Sequence, residues 1–109
     1  MTMLTSPLRV IPGRAPDGVP TVILRGRADD SNFQALAEAL YAQMPAGVTK
    51  LLVDAGALAS VTDLAARSMA QAARVLRSRG GQLTLLGARA EVLAVLRETG
   101  ATADMFIQT

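Results

Sequence analysis

The sequence contains no cysteine and no histidine. Without cysteine there is no disulfide, no thiol nucleophile and no iron–sulfur ligation. Without histidine there is no Ser-His-Asp chemistry, no imidazole general base and none of the usual zinc sites. An enzyme built from this chain has only Asp, Glu, Lys and hydroxyl groups to work with. Aromatic residues are scarce as well: Phe33, Tyr41 and Phe106 are the only ones. That is too few for a surface on which nucleic-acid bases stack. No apolar run reaches the ~18 residues that a membrane-spanning helix needs. Met1 to Arg9 lacks the cationic start and apolar run of a secretory signal. These absences, with the alanine and arginine bias, lead us to expect a bacterial cytoplasmic protein with no direct membrane insertion.

What is present describes an ordinary folded domain. The 109 residues are 50% hydrophobic and 18% charged. That length suits one domain. At this size about two-thirds of the unfolded surface is buried, enough for a single core. Hydrophobicity this high with a net charge of only +2 argues against disorder. All the basic residues except Lys50 are arginine. The small arginine excess makes the chain basic without producing a strong field, so no nucleic-acid partner is expected.

Leu8 to Ile11 is a short apolar run, and Val19 to Arg25 reads as a strand. Ala15-Pro16-Asp17-Gly18 between them is turn chemistry, because Pro presets φ and Gly accepts a positive one. Residues 8–25 therefore predict a β-hairpin. Asp30 or Ser31 is placed to cap a helix. Its stripe is Phe33, Leu36, Ala37, Leu40, Tyr41 and Met44, and Pro45-Ala46-Gly47 ends it. Leu51-Leu52-Val53 reads as a buried central strand, and residues 55–61 as a loop of small residues. Thr62 caps a second helix, with Asp63 in its first turn. Ala65, Met69, Ala72 and Leu76 face inward on it; Arg67, Gln71, Arg74 and Ser78 face outward. Gly80-Gly81 ends that helix, and Gln82 to Leu86 is a strand. Glu91 to Thr99 is a third helix with Val92, Leu93, Val95 and Leu96 inward, and Gly100 as its cap. Met105-Phe106-Ile107 is a short apolar end. The order β-β-α-β-α-β-α predicts an α/β fold: a small mixed sheet, an initial hairpin plus parallel strands, with three to four helices. We expect one domain over residues 8–109 behind a short tail, 1–7.

Asp54 follows the central apolar run, where ligand sites of parallel sheets gather. Such an Asp holds a metal, acts as a nucleophile or, more commonly, caps a loop. Asp29 and Asp30 are expected at the same end. Three converging carboxylates would suit Mg²⁺. No Gly-rich phosphate loop and no well-placed cation accompany them, so no metal, cofactor or catalytic residue is assigned. Arg67, Arg74, Arg77 and Arg79 read as a solvated helix face that complements the helix dipole. The helix start near Thr62 is a natural anion site. A hydroxyl there could carry a reversible phosphate, and Ser60, Thr62 and Ser68 are the hydroxyls at hand.

Taken in order, four blocks resemble the STAS domain, typified by bacterial anti-sigma-factor antagonists. Leu24-Arg25-Gly26-Arg27-Ala28-Asp29 is similar to its L-x-G-x-L-D block. Leu51-Leu52-Val53-Asp54 is similar to its L-V-L-D-L strand. Arg77 to Leu83, with Gly80-Gly81, is similar to its helix end, turn and strand. Val95-Leu96-Arg97-Glu98-Thr99-Gly100 with Phe106 is similar to its V-L-x-x-T-G-x-x-x-x-F end. The resemblance implies a non-enzymatic regulatory module whose partner is an anti-sigma factor, itself a serine kinase of ATPase fold. It further implies partner contacts at Asp29, Asp54, Thr62, Asp63 and Leu64. The family's phosphorylated Ser lies in a D-S-S/T-G motif opening the second long helix. Thr62-Asp63-Leu64-Ala65 stands there instead, and Leu64 cannot take phosphate. The usual phosphoswitch is therefore expected to be missing, with Ser60 and Thr62 as weak candidates. The alternative implied by the family is an accessory subunit of a membrane lipid or anion transport system. A homodimer is compatible with either role.

Overall fold

A computed structural model of the chain describes residues 7–108. Of the expected tail, residues 1–6 lie outside the described residues. Pro7 is tied to the sheet, its carbonyl accepting from Arg27 N at 2.8 Å. The hairpin forms as the turn residues require. Strand β1 (Leu8–Arg14) runs antiparallel to β2 (Pro20–Ala28), and Gly18 N donates to Ala15 O at 2.8 Å in the turn. Helix α1 (Phe33–Ala42), strand β3 (Lys50–Val61), helix α2 (Asp63–Ser78), strand β4 (Gln82–Leu86), helix α3 (Ala90–Glu98) and strand β5 (Phe106–Gln108) follow. A short 3-10 turn, Ala101–Asp104, joins α3 to β5.

The sheet order is β1-β2-β3-β4-β5, and every pair after the hairpin is parallel. Because the strands are laid down in one direction, right-handed crossovers place all three helices on one face. Burial alternates accordingly along the centre of β2 and the first half of β3, whereas in β4 Thr84 on the opposite face is buried as well. Val22, Leu24, Leu51, Val53, Leu83 and Leu85 are fully buried on the helix side. Leu36 and Leu40 of α1, Met69 and Leu76 of α2, and Leu96 of α3 close over them. Each such leucine contributes about 1.5–3 kcal/mol relative to exposure. Helix α2 meets the core through Ala65, Ala66, Ala70, Ala72 and Ala73, whose small side chains let it lie close to its neighbours.

Three expectations are corrected. Residues 55–61 are not a loop; they continue β3 and pair with the end of β2. Two register shifts add an extra β3 residue each, so the buried residues Val53, Ala55, Leu58 and Val61 fall at spacings that hide the strand period. Helix α1 begins at Phe33 with Asn32 as its first cap, not Asp30 or Ser31. Its Tyr41, assigned to the buried stripe, is 39% exposed.

Two of the predicted outer arginines on α2 and the one just past its end also find partners. Arg74 Nε and Arg77 Nη1 each lie 2.9 Å from the Asp104 carboxylate. Arg79 donates to the carbonyls of Met44, Pro45 and Val48 at 3.1, 3.2 and 2.9 Å. It thereby fixes the α1–β3 connection.

Candidate functional site

The ends of β2 and β3 meet the start of α2, and side-chain chemistry locks them together. Ala28 O, at the end of β2, accepts from Thr62 N at 3.0 Å. Thr62 Oγ1 donates to Asp30 Oδ1 at 2.9 Å, across 32 residues of sequence. The same oxygen accepts from Ala65 N at 3.4 Å, which caps α2. One hydroxyl thus serves as both helix cap and loop clasp.

The β2–α1 loop is organised from within. Asp29 Oδ1 accepts from Ser31 N at 2.9 Å and from Ser31 Oγ at 2.5 Å. The Ser31 hydroxyl is the main reason that the Asp29 carboxyl is held below its ordinary value. Burial, the next largest influence, opposes it, and the Ser31 N–H, the Arg27 charge and the Asn32 N–H reinforce it. Asn32 is buried; its Oδ1 accepts from Asp29 N at 2.8 Å and its Nδ2 donates to Arg27 O at 3.0 Å. Sequence reasoning missed Asn32, whose signal was an Asx residue directly before an apolar helical stripe.

Of the sequence-predicted residues, Asp29, Asp30, Thr62, Asp63 and Leu64 gather on this surface. Asp63 is exposed in the first turn of α2, where a negative charge suits the dipole. Leu64 follows it, 39% exposed although large and apolar. Ser60 is exposed next to Arg27 in register. Ser68 points back along α2, donating to Leu64 O at 3.2 Å.

Asp54 is not part of this group. It lies mid-strand, in register with Ile23 and Leu86, and accepts from Gly56 N at 3.0 Å. From Ile23 to Ala28 the sheet rises roughly 17 Å. The idea of three carboxylates converging is thereby corrected: the strand runs on past Asp54, so Asp54 does not reach Asp29 and Asp30. Among the described residues no group of three or more Asp or Glu is placed to hold a metal ion. An open groove of about 410 Å³ lies at the opposite end of the sheet, between Arg14, Pro20, Gln43, Val48 and Lys50. That is the amino end of the parallel strands, away from the clasp.

A mixed sheet of this order, with the helices on one face and the start of α2 exposed beside the β2–α1 loop, defines a small α/β domain. Residues 13–108 match the family model described as "Mlab, STAS domain", and the chain belongs to this STAS family. No curated protein sequence matches it. Solved structures do. An anti-sigma factor antagonist from Mycobacterium paratuberculosis superposes with a TM-score of 0.80 at 19% identity, covering 95% of this chain and 89% of that one. SpoIIAA in its unphosphorylated form, an anti-sigma factor antagonist, gives a TM-score of 0.69 at 16% identity over 93% and 89%. The Bacillus SpoIIAA is also matched in its phosphorylated form. SLC26A9 matches at a TM-score of 0.66 and 15% identity, covering 86% of this chain but only 17% of that one. No described helix is long and apolar enough to cross a membrane.

Proposed function

We propose that this chain is a regulatory protein-binding module of the anti-sigma-factor-antagonist kind. It docks through the β2–α1 loop and the start of α2, and acts by binding rather than catalysis. The observation that carries the reading is the Thr62–Asp30 clasp beside the exposed Leu64. The clasp holds two distant loops in one arrangement before a partner arrives, which lowers the ordering cost of association. Leu64 offers an apolar contact at the position where the family carries its phosphorylated Ser. The antagonist structures that share the fold support this role. The partner of this reading is an anti-sigma factor, a serine kinase of ATPase fold. Leu64 takes no phosphate, so the contact is not switched at that position. Thr62 spends its hydroxyl on the clasp, and Ser60 is the freer of the two candidate hydroxyls.

The likeness to SLC26A9 favours a second reading, an accessory subunit of a membrane lipid or anion transport system. Affinity capture with the full chain from its native host separates the two. Membrane and supernatant fractions are analysed apart by mass spectrometry, with Leu64→Ser run beside the wild type. An ATPase-fold kinase held by the wild type and depleted by Leu64→Ser supports the first reading. A transporter from the membrane fraction supports the second. Equal capture by both proteins removes the proposed contact.

A further inference from the structure

The helices cover only one face of the sheet, and the other face has a definite pattern. Register brings Ile11, Ile23, Asp54, Leu86 and Gln108 into one row across all five strands. The row beside it runs Gly13, Thr21, Leu52, Thr84 and Phe106. Ile11, Ile23, Leu52 and Leu86 are half-buried and lie outside the hydrophobic core, and Phe106 is 56% exposed. On the side toward the α2 start, Arg9 pairs with Arg25, and Arg27 lies two residues further along the same face. All three are exposed, and none is in an ion pair among the described residues. The face is therefore apolar in the middle, with three arginines at the end toward α2 and the single exposed cation Lys50, in register with Gln82, at the other.

All-parallel sheets are almost always covered on both faces by helices, and four of the five strands here, β2 to β5, are parallel to one another. We propose that this open face receives an amphipathic helix of a partner protein, apolar over Ile23, Leu52 and Leu86 and acidic toward Arg9, Arg25 and Arg27. Charge complementarity selects that occupant. A second copy of this chain would set the arginines against arginines with strands parallel, or against Lys50 with strands antiparallel, with Asp54 as the single acid within the apolar rows. A lipid surface would have to bury Asp54, and side chains held flat in a pleated sheet do not insert between acyl chains. Arg27 borders the β2–α1 loop, but Arg9, Arg25, Ile23, Leu52 and Leu86 lie further down the sheet from Leu64, so Leu64→Ser distinguishes this proposal from that reading.

The test uses a designed peptide of about four helical turns, with leucines at i, i+3, i+4 and i+7 and a glutamate-rich end. Its counterpart has the same leucines with lysines in place of the glutamates. Titration of the full chain is followed by NMR or hydrogen exchange of β2 and β3 amides. The acidic peptide should bind and protect β2 and β3, with affinity that falls as salt rises. Arg25→Glu should weaken it about tenfold. Leu52→Thr, a strand-compatible change whose folding is checked by thermal melting, should weaken it similarly. Leu64→Ser should leave it unchanged. Absence of binding, equal binding of both peptides, preferential binding to anionic vesicles, or self-association that Arg25→Glu strengthens would each overturn the proposal.

Discussion

Thr62 Oγ1 donates to Asp30 Oδ1 at 2.9 Å while accepting from Ala65 N at 3.4 Å. The residue therefore joins the β2–α1 loop to the start of α2 and caps that helix with the same atom. Loss of an N-cap hydroxyl typically costs about 0.5–2 kcal/mol, and the bond to Asp30 adds to it. Thr62→Val keeps the shape and removes both bonds. It should lower stability by about 1–2 kcal/mol in denaturant melts, whereas Thr62→Ser should retain most of it. Equal stability of Thr62→Val and wild type would show that the clasp contributes nothing.

Asp29 gives the same loop a dependence on pH. Its carboxyl is held below the ordinary value of 3.8, first by the Ser31 hydroxyl. Folding therefore favours the ionised form, and this stabilisation is complete above the unfolded value. It is lost as pH falls through 3.8 toward the lower folded value. Ser31→Ala removes the largest cause. Its melting temperature should trail the wild type near pH 7 and converge with it at about pH 2. A gap that stays constant across that range would refute the assignment.

The hairpin, α2, β4 and Gly100 were legible because local chemistry alone decides them. The turn Ala15 to Gly18, the Thr62 cap and the Gly80-Gly81 break carry their own signals. The far half of β3 was not legible. Its pairing with β2 uses two register shifts, so the inward residues lose the two-residue period that marks a strand. Asp30 was legible only as a candidate cap. Its partner Thr62 is 32 residues away, and a long-range bond leaves no trace in local spacing. The same limit misplaced Asp54, since a strand that continues through it reads as one that ends there.

Asp104 anchors the 3-10 turn to α2 through Arg74 and Arg77. The arginine side chains are 62% and 58% exposed, against 14% for Asp104. Exposed pairs of this kind are worth less than ~1 kcal/mol each. Asp104→Asn should cost about 1 kcal/mol in all at low salt, and the deficit should shrink at ~1 M salt. Comparing urea midpoints of both proteins at the two salt levels tests this. A deficit that salt does not reduce would mean that packing, not charge, is what Asp104 supplies.

Adjacent glycines after α2 should respond very differently to alanine. Gly80 has φ +80° with open space around it, so Gly80→Ala should cost only the backbone strain, about 1 kcal/mol. At Gly81 an added Cβ would collide with the Thr49 carbonyl, which already accepts from Gln82 N at 2.8 Å. The backbone of the β3 entry would have to move, and Gly81→Ala should cost roughly 2–4 kcal/mol. Thermal melts of the two single variants decide it. Similar losses would mean that the β3 entry yields more easily than the close approach implies.

Leu64 is the residue on which the proposed function turns. It is 39% exposed, so Leu64→Ser should change folding stability by less than ~1 kcal/mol. A leucine buried at an interface is worth about 1–2 kcal/mol once its existing burial is discounted, so affinity for the partner should fall roughly tenfold. The substitution also installs a hydroxyl at the start of α2. With a kinase partner and ATP, the variant should take phosphate at position 64, adding up to about two negative charges inside the contact and breaking the complex. The wild-type complex should survive the same ATP, because its leucine accepts no phosphate. Binding measured with and without ATP separates these effects. Unchanged affinity of the unmodified variant would remove Leu64 from the contact. A wild-type complex that dissolves in ATP would move the switch to another hydroxyl, with exposed Ser60 the first to be mapped.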